Sequence, residues 1–360
     1  MQKTIFNIRI DFEKSHGSFL FDKNKNREIL DFYGMFSSLP LGYNHKIFDK
    51  SFKEEIERVS SLRMANQLFH SDEMDEFISE FNSCIPFKYT HFTNSGAQAI
   101  ECALKCAMTY KKVNDPMVLG LKDSFHGVGS WGFLTDRCMG TAARMEFFPK
   151  NQWRNLNQTE IKKYFQKNNL KNLAAVIVEP IQCTSGDIYL KRNELIEVQN
   201  LCRENDVCFI VDEVQTGFGV TGEMWYSDYL NLEPDILVFG KKSQIMGIAV
   251  TEKYAECITN PLRKLEVTFN GDLIDAIRAK YILRAYKKYN LLDKSKKNAL
   301  IFKKILKNRV ENYRGIGNLI AFDFTSSRKR DIFVSNCLEN NFLCNPTGDR
   351  SIRMRPSMAV

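Results

Sequence analysis

Apolar and polar residues alternate near the start of the chain, over residues 6–10, and turn-forming residues follow at His16-Gly17 and over residues 22–26. Alternation with a period of two is typical of a strand with one buried face. Glycine, asparagine and aspartate between such runs favour tight turns. The pattern predicts a short antiparallel sheet in this part of the chain.

From about Lys46 onward, short apolar runs alternate with stretches of helical periodicity. The runs are residues 89–93, 117–121, 174–178, 207–211, 236–239 and 245–250. Runs this short and this apolar are typical of strands that are buried on both faces, with helices as the connections between them. The predicted fold class is therefore α/β, a mainly parallel sheet flanked by helices.

A broad apolar stripe after Asn270 predicts a long helix, and strand candidates follow at residues 319–324 and 352–354. Since strands also begin the chain, both chain ends are expected to build one smaller α+β domain. The predicted division is a large domain over residues 46–255 and a small domain over residues 1–45 and 256–360.

Composition and charge exclude several classes of protein. With 44% hydrophobic residues, the 360-residue chain can bury the core of a globular protein. The net charge is +8, but the lysines are scattered, and the densest cluster, residues 287–297, has the apolar spacing of an amphipathic helix, so no nucleic-acid partner is predicted. No membrane span or signal peptide is recognisable, and the ten cysteines show no disulfide framework, so we expect a cytoplasmic location.

Two carboxylates, Asp212 and Glu213, directly follow the apolar run 207–211. Open α/β sheets bind their ligands at the carboxyl ends of the strands, so one of these acids is expected to face a ligand. An isolated acid at this position would more often cap the next helix. Asp212 alone is therefore a weak signal.

A lysine, Lys241, ends the segment that contains the apolar run 236–239. In a crevice a lysine is partly desolvated, which lowers its pKa and makes its amine a nucleophile toward an aldehyde. Together with Asp212 at a nearby strand end, Lys241 fits a pyridoxal phosphate site, in which a carboxylate keeps the ring nitrogen protonated. Such a cofactor also needs a phosphate site, and Ser95-Gly96-Ala97 opens a predicted helix after a strand.

Taken together, the motifs resemble the class III aminotransferases, which are pyridoxal-phosphate enzymes of fold type I. The matching motifs follow the family's order over nearly the whole chain: Ser37-Ser38-Leu39-Pro40-Leu41-Gly42, Asn94-Ser95-Gly96-Ala97, Phe125-His126-Gly127, Glu179-Pro180-Ile181-Gln182, Asp212-Glu213-Val214-Gln215-Thr216-Gly217, Gly240-Lys241-Lys242 and Thr268-Phe269-Asn270-Gly271. Within the family, the resemblance is greatest to the lysine 6-aminotransferases. It implies a transaminase that uses pyridoxal 5'-phosphate.

The resemblance also implies a role for each matching residue. Lys241, which follows the small residue Gly240, would form the Schiff base and move the substrate proton, and Asp212 would pair with the ring nitrogen. The other cofactor-binding residues implied are Ser95, Gly96, Ala97, Phe125, His126, Glu179, Val214, Gln215 and Thr268. Val214 and Phe125 would cover the two ring faces, Gln215 would bind the phenolic oxygen, and Glu179 would orient the site. Thr268 would reach the cofactor of a neighbouring subunit, which requires a homodimer.

The chain departs from the family where the substrate binds. Val128 stands where an arginine usually clamps a carboxylate, and Thr184 stands where the family's ω-aminotransferases carry a glutamate that masks a second arginine. That second arginine is retained as Arg353, which can hold an α-carboxylate in a bidentate fork; Arg355 matches less well. We expect a lysine-like or other ω-amino-acid donor and a keto acid such as 2-oxoglutarate.

Three alternative functions remain open at this point. Residues 217–222 fit the G-x-G-x-x-G fingerprint of a nicotinamide oxidoreductase, with Asp235 beyond, although the glycines do not directly follow a strand. A pyridoxal-phosphate racemase or aminomutase would use the same lysine and aspartate. A non-catalytic homologue that binds the cofactor or a protein is the third alternative.

Overall fold

The computed structural model describes residues 6–64, 69–134, 153–260, 262 and 265–359. In chain order, strands β1 to β17 are Ile10–His16, Phe19–Asp22, Arg27–Asp31, Tyr89–Thr93, Met117–Leu121, Arg154–Leu156, Leu173–Val178, Ile181–Gln182, Ile188–Tyr189, Cys208–Asp212, Ile236–Phe239, Met246–Val250, Glu311–Ile316, Leu319–Asp323, Phe342–Leu343, Asn345–Thr347 and Ser351–Met354. The helices are Lys50–Val59, Asp72–Asn82, Gly96–Lys111, Ser130–Leu134, Gln158–Lys167, Arg192–Glu204, Tyr226–Leu230, Glu256–Thr259, Leu273–Tyr289, Leu291–Leu306 and Ser327–Glu339. Shorter turns are Gly34–Ser37, Lys241–Ser243 and Glu252–Tyr254.

A seven-stranded sheet forms the centre, in the order β4-β12-β11-β10-β7-β5-β6. Among the seven strands, β12 alone runs in the opposite direction to the other six, so the predicted α/β class and the mainly parallel sheet are confirmed. All six apolar runs belong to this sheet. The seventh strand, β6, has only three residues and was not predicted from the sequence.

Both faces of the central sheet are covered. Along β7, Val176 and Val178 pack into one apolar cluster, whereas Ala175 and Ile177 pack into the other, together with residues of the helix Gly96–Lys111. Burial on both faces explains why β7 and β11 are apolar at every position rather than at alternate ones.

Strands β4, β5, β7, β10 and β11 end at one edge of the sheet, because all of them run parallel. The segments that follow these ends begin with the Ser95, Phe125, Glu179, Asp212 and Lys241 motifs. The topology therefore brings together residues that are far apart in the sequence.

The beginning and the end of the chain meet in a smaller sheet, β1-β2-β3-β15. Strand β15 pairs parallel with β3, where Phe342 lies opposite Leu30 and Leu343 opposite Asp31. A second small sheet has the order β13-β14-β17-β16. The helix Leu273–Tyr289 packs in the same apolar cluster as the central sheet. The limits of the two domains stay a prediction.

Two details of the sequence interpretation are wrong. Residues 6–9 are not a strand: β1 begins at Ile10, and Asn7 has a φ of 48°, which interrupts an extended backbone. The basic residues 287–297 do not form one helix, because Asn290 ends the helix Leu273–Tyr289 in a left-handed conformation and a second helix starts at Leu291. No helix of the described residues is long and apolar enough to cross a membrane.

Candidate active site

A cavity of about 470 Å³ opens at the carboxyl edge of the central sheet. It is lined by Ser38, Ser95, Gly96, Ala97, Ile100, Phe125, His126, Gly127, Glu179, Asp212, Val214, Gln215, Lys241, Gln244, Met246, Asp275 and Arg278. The set contains every predicted cofactor-binding residue except Thr268. Arg353 is also outside it.

Asp212 is held in place by two hydrogen bonds at the end of β10. Its Oδ1 accepts from the backbone N–H of Val214 at 3.0 Å, and its Oδ2 lies 2.8 Å from His126 Nδ1. A carboxylate only accepts, so His126 Nδ1 carries the proton of this bond. Both side chains are buried. His126 therefore lies behind Asp212 and fixes its orientation.

The two neighbouring lysines have different environments. Lys241 starts a tight turn with a φ of 53° and lines the cavity. Burial, with the positive charge of Arg353 as a second cause, lowers the pKa of the Lys241 amine. Lys242 is 2% exposed, and its Nζ donates to the backbone oxygen of Gln215 at 2.7 Å. Of the two lysines, only Lys241 lines the cavity.

Glu179 positions the loop that carries the Phe125 motif. Its Oε1 accepts from the Phe125 N–H at 2.7 Å. Burial raises the pKa of Glu179 to about 8. The side chain is 5% exposed and is therefore expected to carry a proton near neutral pH.

A helix begins directly at the cavity. Ser95 caps the helix Gly96–Lys111, with its hydroxyl oxygen accepting from the Gln98 N–H at 3.1 Å. The N–H groups of the first turn have no partners inside the helix and point toward the space before it. A Cβ atom on Gly96 would lie 3.1 Å from Val214 Cγ1, so any larger residue here would push the Val214 side chain by a few tenths of an ångström.

These residues fit pyridoxal 5'-phosphate. Gln215 is 6% exposed, and its Oε1 has no hydrogen-bond partner among the described residues, so this amide lies in the cavity with capacity for a ligand. The helix N-terminus suits a phosphate. The carboxylate of Asp212 suits the ring nitrogen. The amine of Lys241, whose pKa is lowered, suits the aldehyde.

Two predicted residues lie apart from the cavity lining. Thr268 is exposed. Arg353 is 7% exposed, and its Nη1 donates to the Cys183 oxygen at 2.9 Å. Arg355 forms an ion pair with Asp187 at 2.6 Å and is not available for a substrate. Val128, in place of the family's arginine, is 66% exposed.

Sequence reasoning missed several residues that line the cavity. They are Ile100, Gln244, Met246, Asp275 and Arg278. Asp275 and Arg278 form an ion pair at 2.7 Å on the helix Leu273–Tyr289. Their spacing on a long helix carries no chemical signal of its own, because such pairs are common on helix surfaces.

The family model of the class-III aminotransferases matches residues 1–360. The chain belongs to this family. Class III aminotransferases depend on pyridoxal phosphate, so the nicotinamide reading of residues 217–222 is set aside. The structure agrees, since the helix after these glycines, Tyr226–Leu230, has only five residues and Asp235 accepts from the Phe209 N–H at 2.9 Å.

This class III aminotransferase is similar to named relatives over most of their length. L-lysine-epsilon aminotransferase of Streptomyces clavuligerus is 28% identical over 99% of the chain and 87% of that enzyme. Acetylornithine aminotransferase of Archaeoglobus fulgidus is 27% identical over 98% of the chain and 92% of that enzyme. The solved lysine aminotransferase of M. tuberculosis in its internal aldimine form superposes with a TM-score of 0.94, at 26% identity, over 100% of the chain and 92% of that structure.

Proposed function

We propose that this aminotransferase moves the ω-amino group of a lysine-like amino acid to a keto acid such as 2-oxoglutarate. The observation that carries the proposal is that Lys241 and Asp212 line the same cavity. They lie at neighbouring strand ends, next to the N-terminus of the helix Gly96–Lys111. The names of similar enzymes, which act on lysine, acetylornithine and 4-aminobutyrate, support an ω-amino donor.

The proposed arrangement assigns the cofactor to residues of this chain. Bound pyridoxal phosphate supplies an electron sink that stabilises negative charge on the substrate carbon. Asp212 would hold the ring N–H, with His126 fixing the carboxylate. Val214 and Phe125 would cover the ring faces, and Gln215 would hydrogen-bond the phenolic oxygen.

Lys241 would move the substrate proton. Burial lowers its pKa, which favours the neutral amine, the form that can accept a proton from the substrate carbon. The same amine, once protonated, can return the proton at a different atom.

A homodimer is part of the proposal. Thr268 is exposed on this chain, and exposed apolar side chains lie close to it in sequence, among them Val267 at 48% and Phe269 at 38%. Phe269 packs against Arg63, next to Leu62, which is 66% exposed. Exposed apolar residues grouped in this way favour a protein interface.

The cytoplasm is the proposed location. The nine cysteines among the described residues form no disulfide bond, and several of them are buried as small apolar side chains. Buried thiols without disulfides support a reducing compartment. A tag-based localisation in the source cells tests this directly.

Absorption spectra of the cofactor-loaded protein test the function. We expect lysine or another ω-amino donor to convert the absorbance of bound pyridoxal phosphate into that of pyridoxamine phosphate in the absence of a keto acid, and 2-oxoglutarate to reverse it. A spectrum that no amine converts would instead support the racemase or aminomutase reading, or a non-catalytic homologue.

A further inference from the structure

Arg353 and Asn345 lie directly opposite each other on the paired strands β17 and β16. With the Asn345 amide oriented so that its oxygen faces the guanidinium, this oxygen accepts from Arg353 Nε at 3.0 Å and from Nη2 at 2.9 Å. The opposite orientation would bring amide N–H groups against guanidinium N–H groups, so the network fixes the orientation. One neutral group thus receives two hydrogen bonds from the guanidinium.

The remaining contact of Arg353 is also neutral. Its Nη1 donates to the Cys183 backbone oxygen, which also accepts from Thr347 Oγ1 at 2.8 Å. Among the described residues, no carboxylate pairs with Arg353, whereas the nearby Arg355 has Asp187 as its partner. A guanidinium has five N–H donors, and these contacts use three of them. Two donors and a full positive charge remain.

At the position of the family's masking glutamate, this chain offers backbone carbonyl groups and no carboxylate side chain. Thr184 stands at that position, and the adjacent Cys183 gives its carbonyl to Arg353. Thr184 itself contributes its carbonyl, which accepts from Thr347 Oγ1 at 3.0 Å. Asp187 in this segment attracts the guanidinium but is paired with Arg355, so the hydrogen bonds that orient Arg353 come from Asn345 and Cys183.

We propose that Asn345 is a positioning residue that holds Arg353 in place without neutralising it, so that Arg353 stays available for the carboxylate of a dicarboxylate substrate such as 2-oxoglutarate. The inference rests on the proposed transaminase function. A carboxylate in place of the amide would fill the guanidinium edge with a charged partner, and a substrate would have to compete with it. The neutral Asn345 amide holds Arg353 without competing with the substrate carboxylate.

The charge of Arg353 also affects the amine of Lys241. This charge is the second cause of the lowered pKa of Lys241, after burial. A carboxylate bound at Arg353 would offset that charge and raise the pKa of the lysine amine. Keto acid binding and the protonation of Lys241 are therefore linked, as a pH titration of the bound and free enzyme can show.

The test compares Asn345→Asp with the wild-type holoenzyme, because the substitution keeps the shape of the side chain and adds a charge. The probe is glutarate, a dicarboxylate that cannot accept an amino group, titrated by calorimetry. We expect Asn345→Asp to weaken glutarate binding about tenfold or more and to raise the KM for 2-oxoglutarate by a similar factor, with little change in kcat. The half-reaction with 1,5-diaminopentane, which has no carboxylate, should keep its rate.

Two further variants keep the test decisive. Asn336→Asp adds the same charge at an exposed position of the helix Ser327–Glu339 and should leave glutarate binding unchanged. Asn345→Leu removes the amide that accepts from Arg353 and adds no charge, so it should weaken glutarate binding several-fold. This variant replaces Asn345→Asp in the test if Asn345→Asp does not fold.

Equal glutarate affinity in wild type and Asn345→Asp, or no glutarate binding by the wild type, would overturn the inference. If glutarate binding follows the expected order while no amine converts the cofactor, the inference about Arg353 stands and the proposed transamination fails. The calorimetric and spectroscopic results thus separate the two claims.

Discussion

At the scale of single residues, adjacent lysines provide a test of the cofactor site. Lys241 faces the cavity with a lowered pKa, whereas the Lys242 amine is buried against the Gln215 carbonyl. Borohydride reduction of the loaded protein should therefore attach the cofactor to Lys241. Peptide mass spectrometry locates the modified lysine.

The matched variants are Lys241→Met and Lys242→Met. We expect Lys241→Met to lose all covalent attachment and transaminase activity, and Lys242→Met to keep the attachment even if its stability falls. Attachment to Lys242 in the wild type would contradict the assigned site.

The buried Glu179 predicts a dependence of stability on pH. Burial raises its pKa from 4.5 to about 8, so between these pH values the folded carboxyl keeps a proton that the unfolded chain releases. Stability of the cofactor-free protein should therefore fall as the pH rises from about 5 to about 8. Glu179→Gln has no such titration, and its hydrogen bond from the Phe125 N–H can remain.

Urea denaturation of cofactor-free wild type and Glu179→Gln at the two ends of this pH range measures the effect. The midpoint of the variant should drop less with rising pH than that of the wild type. Glu339→Gln, at an exposed helix end, is the control and should follow the wild type. Parallel midpoints for wild type and Glu179→Gln would rule out the raised pKa.

At the scale of helices and strands, the sequence predicted most of the central sheet. Strands such as β7 and β11 were recognisable because burial on both faces demands apolar side chains throughout, a pattern that needs no tertiary information. Strand β4 is more mixed and only partly buried. The segment 6–9 was predicted wrongly, since alternation does not reveal the left-handed Asn7. Strand β6 is too short to leave a pattern.

The candidate site was predictable where it follows a strand end. Asp212 and Lys241 each follow an apolar run, and parallel strands bring such ends together. Arg278 and Asn345 could not be found in this way. Arg278 reaches the cavity from a long helix, and the contact between Asn345 and Arg353 depends on the register of two short strands. Register is a tertiary property that a short, mixed sequence does not specify.

Three helices are joined by a buried lysine. Lys280 is 1% exposed, and its Nζ contacts Glu55 Oε2 at 2.8 Å and Glu76 Oε2 at 2.7 Å. Lys280→Ala would leave Glu55 without its cation and Glu76 with Arg284 alone, so we expect a loss of about 3 kcal/mol in the free energy of unfolding.

Chemical denaturation measures this loss, with Lys297→Ala, an exposed helix position, as the control that should change little. Cofactor binding should be retained in both variants, because neither lysine lines the cavity. A loss below about 1 kcal/mol for Lys280→Ala would show that the buried pairs contribute no more than surface pairs.

At the scale of the whole molecule, the proposed dimer makes a prediction about mixed subunits. If Thr268 serves the neighbouring subunit, a mixed dimer of a Thr268→Ala chain and a Lys241→Met chain contains one site with both native residues. We expect Thr268→Ala alone to bind pyridoxal phosphate about tenfold more weakly, consistent with the loss of a phosphate hydrogen bond. Mixing with Lys241→Met chains should restore tight binding at one site per dimer.

Cofactor titration of unfolded and refolded mixtures measures the recovery, and sedimentation confirms the dimer. No recovery on mixing would place Thr268 at its own subunit's site or outside the site altogether. A monomer in sedimentation would contradict the shared site as a whole.

The central claim is that this chain takes an ω-amino group from its donor onto the cofactor. The most direct measurement incubates the loaded protein with lysine labelled with ¹⁵N at the ε position, without a keto acid, and analyses the released cofactor by mass spectrometry. We predict pyridoxamine phosphate that carries the label, from wild type but not from Lys241→Met. Unlabelled pyridoxamine phosphate would assign the reaction to the α-amino group, and unchanged pyridoxal phosphate would contradict transamination of lysine.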